Sequence, residues 1–327
     1  MGGLADNVAG GTGDCGTHNM IPVKNAHLKF YHQTPLYFKA SEGIGFVLYK
    51  HKDMTIADAR ILHDRLPETL YMHIKDKSLG LSELQAGLNV QLKDDLQSSD
   101  PVQVKETLIT LVSETLKAPT AESVQGAVAT MDVIFSEYLK NRHVIDRLVK
   151  VMEQDYTTAA HSVNVMALTL RFCSFIGKPE DEAHHLGLCA LLHDVGKERI
   201  QKRLLQAPRR LDPLEFEIMK KHTIYGYEIL KKCHLDEDIC LCALKHHERV
   251  DGSGYPKGDT DIPESSQIIG FIDCYEALTC NERPYRSAVS PFDALSRIKS
   301  ELFFGNFGKN IYREFVHSLG GSRGTAK

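Results

Sequence analysis

The sequence predicts a mainly α protein in which a small N-terminal α+β domain precedes an all-helical bundle. Three observations carry this. Runs rich in aromatic and β-branched residues stop before Leu79. From there on, apolar residues recur at steps of three and four. Helix start and stop signals, such as Pro101, the Asp212-Pro213 pair and Gly177, then punctuate the chain at helical lengths.

The elements follow in order. Residues 1–19, "MGGLADNVAGGTGDCGTHN", are rich in Gly and Asn without periodicity and are expected to be disordered, so that the fold starts at Met20. Residues 26–31, 35–40, 44–50 and 69–74 read as strands, with a helix in "IADARILHDRLP" between the last two. Helices are expected over 80–98 and, after Pro101, over 101–117. Residues 20–118 form the expected regulatory module with its helical extension. A long helix from Thr120 to about Glu153 follows, started by Pro119 and Thr120, and its stretch 119–150 reads as a rigid connector. The segment 151–318 is helical by pattern. "TAAHSVNVMALTLRFCSFIG" stops at Gly177 and Pro179, and "EDEAHHLGLCALLHDVG" is apolar on most sides, as a central helix would be. "DPLEFEIMKKHTIYGYEILKKC" opens on Asp212 as N-cap, Pro213 at the first helical position and Glu215 three residues after the cap. Residues 319–327 read as a flexible tail.

Composition narrows the function classes. The 327 residues are 42% hydrophobic and 25% charged, ordinary globular values. A formal net charge of −4 without a polybasic run offers no field for nucleic acid or a membrane surface. No apolar stretch is read as approaching the roughly 20 residues of a membrane span, and no signal pattern opens the chain, so a cytoplasmic protein is expected. The eight cysteines, at 15, 173, 189, 233, 240, 242, 274 and 280, include no C-x₂-C pair and read as reduced core thiols.

The stretch "LLHDVGKERI" at 191–200 delivers His193 and Asp194 side by side at the end of the most apolar helix. Helical spacing aligns His161 with Val165, Leu168 and Phe172, and His222 with Ile218, Met219, Tyr225 and Ile229, so both imidazoles point inward. His246 and His247 end another helix, and Asp273 lies within "IIGFIDCYEAL". An inward histidine by itself is more often a hydrogen-bonded core residue than a ligand. Five imidazoles and two carboxylates buried together are different, because each ionised group would cost several kcal/mol unless a shared metal uses it. A set with nitrogen and oxygen but no thiolate suits Fe, Mn, Co, Ni or Zn in a catalytic site. Seven ligands exceed what one ion takes while keeping a position open. Two ions bridged by a carboxylate such as Asp194 are the common device for phosphoester hydrolysis, where they generate hydroxide and clamp phosphoryl oxygens.

These residues carry a family resemblance. His193-Asp194 and "HHERVDGSGYP" at 246–256 resemble the HD-GYP branch of the HD-superfamily phosphohydrolases, as do "AHSVNV" at 160–165, "KHTIYGYEIL" at 221–230 and "IDCYEALT…RPYR" at 272–286. The resemblance spans about residues 150–315 and implies an HD-type helical bundle that cleaves cyclic di-GMP to linear pGpG or on to GMP. It further implies that His161, His193, Asp194 and Asp273 hold one metal and Asp194, His222, His246 and His247 the other, with Fe favoured and Mn the alternative. Lys197 would then face the attacked phosphate. Gly254 and Tyr255 would lie near the site, and Arg283 and Arg286 would reach the substrate phosphates. Expected partners are cyclic di-GMP, diguanylate-cyclase-type or other signalling proteins, and a second copy of the chain.

Two positions depart from the family pattern. Members with a third metal carry a Glu one turn before the first His, whereas this chain has Thr157, with only Asp155 nearby as a carboxylate. Two metals and release of pGpG are therefore expected. "TCNERPYR" is one residue longer than the usual stretch before Arg-Pro, which loosens the placement of Arg283. His184 and His185 precede the motif by a full helix and read as surface or supporting residues. Two rival readings stand beside the enzyme: a weakly active or inactive signalling adaptor that binds nucleotide or protein, and a phosphohydrolase of guanosine tetraphosphate or another cyclic dinucleotide. The N-terminal module shows no phosphate loop, phosphoacceptor set, haem or flavin signature, and His32, His51, His63 and His73 read as solvated.

Overall fold

The computed structural model describes residues 19–40, 45–63, 66–98, 100–140, 143–151, 157–280, 288–302 and 307–320. It divides into two units, the first ending at Gly87 and the second beginning at Leu88. The expected boundary near residue 118 lies elsewhere than this division.

The first unit is an antiparallel sheet of β1 (Met20–Val23), β2 (Leu36–Lys39), β3 (Phe46–Lys50) and β4 (Leu70–His73) in the order β1-β4-β2-β3. Helix α1 (Ile56–His63) follows β3, and α2 (Lys77–Ser98) begins after β4. The strand expected at 26–31 is instead a 3₁₀ turn over Asn25–Phe30. Its buried Leu28 and the buried Tyr31 that ends it lie three apart, the spacing of a helical turn and not of a pleat. Conversely, Met20–Val23 is an edge strand hidden by Pro22, a residue that a sheet accepts at its edge. Lys50 is fully buried and donates to the carbonyls of His32, His51 and Met54 at 3.0, 3.0 and 3.1 Å, which satisfies the ammonium without a carboxylate. His32 and His51 are exposed as expected, whereas His63 lies outside the residues whose side chains are described.

The second unit is helical among its described residues. Helix α3 (Pro101–Lys117) starts under Asp100, whose carboxylate caps the amides of Val102 and Gln103. The expected long connector is two helices, α4 (Ala121–Lys140) and α5 (His143–Lys150). Tyr138 and Ile145 are both buried and stand seven residues apart, two helical turns, so the apolar rhythm runs through the junction and conceals it. Both helices pack within the bundle, α4 on α3 and α5 on α6 (Thr158–Ile176).

Helix α6 is the axis of this unit. Every residue from Ala159 to Leu170 is buried, Thr157 caps its start, and Gly177 at φ 72° ends it in the left-handed conformation. Contrary to the sequence expectation, α6 is long and apolar enough to cross a membrane; 78% of its apolar window is buried inside the protein. It packs on α3, α5, α7 (Glu180–Leu192), α12 (Glu264–Thr279) and α14 (Lys309–Gly320). Helices α8 (Lys202–Leu205) and α9 (Pro213–Lys220) follow α7, and α13 (Pro291–Leu302) follows α12. The capping box between Asp212 and Glu215 forms as expected.

The helix expected to run through His222 breaks at Lys221 into α9 and α10 (His222–Lys232), which α11 (Glu237–Lys245) follows. Helix α9 buries no residue, and Ile218, expected on the inward face of His222, is 39% exposed. The apolar face begins at His222, because only from there does the helix pack against α11 and the 3₁₀ turn Val195–Arg199.

Candidate metal centre

All seven residues expected as ligands converge in the second unit. His193 caps the C-terminus of α7 and His246 that of α11, where helix ends leave carbonyls in need of donors. The Nδ1 of His193 donates to the Ala190 carbonyl at 2.7 Å, and that of His222 to Met219 at 2.7 Å. His246 Nδ1 lies 3.1 Å from both the Cys242 and Ala243 carbonyls. Since a carbonyl only accepts, these contacts place the proton on Nδ1 and turn the lone pair of each Nε2 inward.

Those three Nε2 atoms and Asp194 Oδ1 are buried without a hydrogen-bond partner. Four orphaned acceptors in one place would be costly in a finished core. They fit a cation. Two triads bring one ligand atom per residue within 4.8 Å of one another, His161–His193–Asp273 and His222–His246–His247, and Asp194 lies between them. Its Oδ2 is 3.3 Å from His193 Nε2 and 3.6 Å from His161 Nε2, and its Oδ1 is 3.4 Å from His222 Nε2 and 4.0 Å from His246 Nε2.

The electrostatics agree. Burial pulls His222 down to about 4 and His246 to about 3, and it holds His247 well below the ordinary imidazole value, so all three are neutral with lone pairs available. Burial would raise Asp194 and Asp273, but the first is held well below its usual range by Lys197 and neighbouring imidazoles and the second by His161 and His247. Burial also opposes charge on His161, yet Glu276 and Asp273 outweigh it and lift that imidazole well above its usual value. In charge terms, a proton on His161 stands where a divalent ion would.

A profile of the HD domain matches residues 136–302, more than half of the chain. The chain belongs to the HD-domain family. Its HDxGK and HHExxDGxGYP stretches are those of the HD-GYP branch, and HD-domain phosphohydrolases are metal-dependent. A cyclic di-GMP phosphodiesterase of Pseudomonas aeruginosa is 31% identical over 196 residues, covering 58% of this chain and 46% of the relative. A 3'3'-cGAMP-specific phosphodiesterase of Vibrio cholerae is 41% identical over 126 residues, covering 37% of this chain and 24% of the relative. The chain thus spans less than half the length of these curated relatives. The solved structure of an HDGYP protein from Bdellovibrio bacteriovorus shares the fold with a TM-score of 0.62 at 18% identity, over 93% of this chain and 100% of the other.

The remaining expected residues of this HD-domain protein separate. Lys197 donates to Asp194 Oδ2 and lines a cleft of about 170 Å³ with Asp194, Thr157 and Lys117. Tyr255 stacks on His247, the ring centroids 4.6 Å apart, so it braces a ligand. Gly254 packs on backbone: a Cβ there would meet the Arg249 amide nitrogen and Glu248 Cα at 2.4 Å, which makes glycine a requirement of the turn that carries Tyr255. Arg283 and Arg286 lie outside the described residues, as does Asp155. His184 and His185 sit at the half-buried margin, paired with Asp132 and Asp238 at 2.9 and 2.8 Å.

Sequence reasoning missed three residues. Glu276 is 3% exposed, accepts from His161 Nδ1 at 2.6 Å and takes Asn164 Nδ2 on its other oxygen at 2.8 Å. Glu248 is 4% exposed and accepts from the amides of Lys257 and Asp259 at 2.8 and 3.1 Å, tying down the GYP loop. The signal was present: Glu276 stands one turn beyond Asp273 and Asn164 one turn beyond His161.

Proposed function

We propose that the protein is a metal-dependent phosphodiesterase that hydrolyses cyclic di-GMP to linear pGpG. The observation that carries this reading is the convergence of three buried, partnerless Nε2 atoms and Asp194 Oδ1 beside a cleft that holds Lys197. In it, His161, His193, Asp194 and Asp273 hold one divalent ion and Asp194, His222, His246 and His247 the other, Fe or Mn. When bound, such a pair polarises phosphoryl oxygens and lowers the pKa of water. The chain supplies the rest. Backbone carbonyls hold three imidazoles in the ligating tautomer, Glu276 orients His161, and the Lys197 ammonium, 18% exposed at the cleft, binds the phosphoryl group under attack. Arg283 and Arg286 complete phosphate binding.

Thr157 supports stopping at pGpG. Its hydroxyl accepts from the Ala160 amide at 3.1 Å as the cap of α6 and adds no charge to the cleft it borders. The N-terminal sheet unit acts as the regulatory input in this reading, while α3 belongs to the helical bundle. A cytoplasmic setting fits buried thiols such as Cys173, Cys233 and Cys240, which pair in no disulfide.

The test is product analysis with Fe- or Mn-loaded protein. It should convert cyclic di-GMP to pGpG, and Lys197→Ala should slow turnover at unchanged metal content. The 41% identity to a 3'3'-cGAMP-specific enzyme motivates a second substrate in the same assay. Faster cleavage of 3'3'-cGAMP or of guanosine tetraphosphate would reassign the substrate, and binding without product would establish the adaptor reading.

A further inference from the structure

Outside the centre, α7 and α11 pack against each other, and each presents a second pair of metal-compatible side chains four residues apart. On α7 these are His185 and Cys189, on α11 Asp238 and Cys242. One ligand atom each from His185, Cys189 and Asp238 lies within 4.8 Å of the other two. His185 Nε2 is 2.8 Å from Asp238 Oδ2, and Ser265 Oγ donates to the other oxygen at 2.9 Å. The Cys189 thiol interacts with the Cys242 thiol and with His185. Both cysteines are buried, at 1% and 0% exposure, while His185 and Asp238 reach a surface groove of about 480 Å³ that provides an entry path.

We propose that His185, Cys189, Asp238 and Cys242 form a further metal site, for one borderline-soft divalent ion of the zinc class, distinct from the catalytic pair. Two thiolates, an imidazole and a carboxylate are a four-ligand set suited to tetrahedral zinc, whereas the catalytic set contains no sulfur and calcium or magnesium would take oxygen. The interaction with Cys242, and then burial, hold the Cys189 thiol well above its ordinary value, and His185 is raised to about 9 chiefly by Cys189. Both protons leave to solvent when the ion binds, together with that of Cys242.

The site has a structural consequence. One turn beyond Cys189 on α7 stands His193, and one turn beyond Cys242 on α11 stands His246, their rings 5.0 Å apart. An ion here clasps the two helices one turn below two catalytic ligands and sets their separation.

Cobalt(II) tests this on the full reduced chain, because only a thiolate ligand produces sulfur-to-cobalt charge transfer in the near ultraviolet. Wild type and Asp194→Ala should both develop this band with an intensity that plateaus at one sulfur-ligated cobalt per chain, whatever further cobalt the catalytic centre of the wild type takes up, and zinc should bleach it. Cys189→Ser/Cys242→Ser should lose the band and keep its helical circular dichroism. Asp238→Asn should weaken cobalt binding about tenfold or more. Cobalt binding without the band, or a band that survives the double substitution, would overturn the proposal. Should the double variant fail to fold, unchanged cobalt affinity in both Asp238→Asn and His185→Gln would overturn it equally.

Discussion

The Nδ1 of His161 lies 2.6 Å from Oε2 of Glu276, a fully buried contact between residues 115 positions apart. Asn164 holds the other carboxylate oxygen, so the ring of His161 is oriented with Nε2 toward Asp273 at 3.0 Å. Carboxylates that orient ligating imidazoles typically contribute about 10–100-fold in metal affinity. Glu276→Gln should therefore lower the affinity of the centre by about that factor at unchanged fold. Metal titration with full retention of affinity would remove Glu276 from this role.

Gly196 explains the glycine of HDxGK. A Cβ there would lie 1.9 Å from the His222 carbonyl oxygen and 2.4 Å from the Gly226 nitrogen, both backbone atoms that cannot swing away. Gly196→Ala should cost about 3 kcal/mol or more in urea denaturation, since the turn carrying Asp194 and Lys197 must lift off α10. It should also shed metal as His222 moves. A variant of native stability and full metal content would refute this.

The metal-free chain should lose stability as pH falls from 6.5 toward 4. Burial holds His222 at about 4 and His246 at about 3 in the fold, against an ordinary value near 6.5 when unfolded. In that window the unfolded chain binds protons the folded chain refuses, so the contribution is complete above the window and lost below it. The loss from His222 is on the order of 3 kcal/mol. His161 adds no slope there, because its raised value keeps it protonated in both states; its own contribution fades only as pH rises above 6.5. Urea midpoints in chelator that stay level between pH 6.5 and 4 would contradict this.

Thr157→Glu should raise metal content toward three and increase the GMP fraction of the product. The substitution also removes the hydroxyl cap on Ala160, which costs about 1 kcal/mol. Native protein that already yields chiefly GMP would show that Thr157 does not limit the reaction.

The sequence alone determined the residue types of the candidate ligands and the ends of several helices. Both are local properties: His161, His193, Asp194, His222, His246, His247 and Asp273 stand at helix ends or on inward faces that a 3.6-residue period displays, and end signals such as Pro101, Asp212 and Gly177 act within one turn. What a local pattern carries equally well both ways stayed hidden. The apolar rhythm runs unbroken across the α4–α5 junction, and Leu28 and Tyr31 suit a strand in composition and a 3₁₀ turn in spacing. Only the tertiary structure decided the pairings, because these depend on which helix faces which: Glu276 with His161 across 115 residues, Gly196 against His222, and His185 with Asp238, which stand on separate helices and form no contiguous motif. The centre exists because helix packing turns separate local faces toward one point and leaves their lone pairs there without partners.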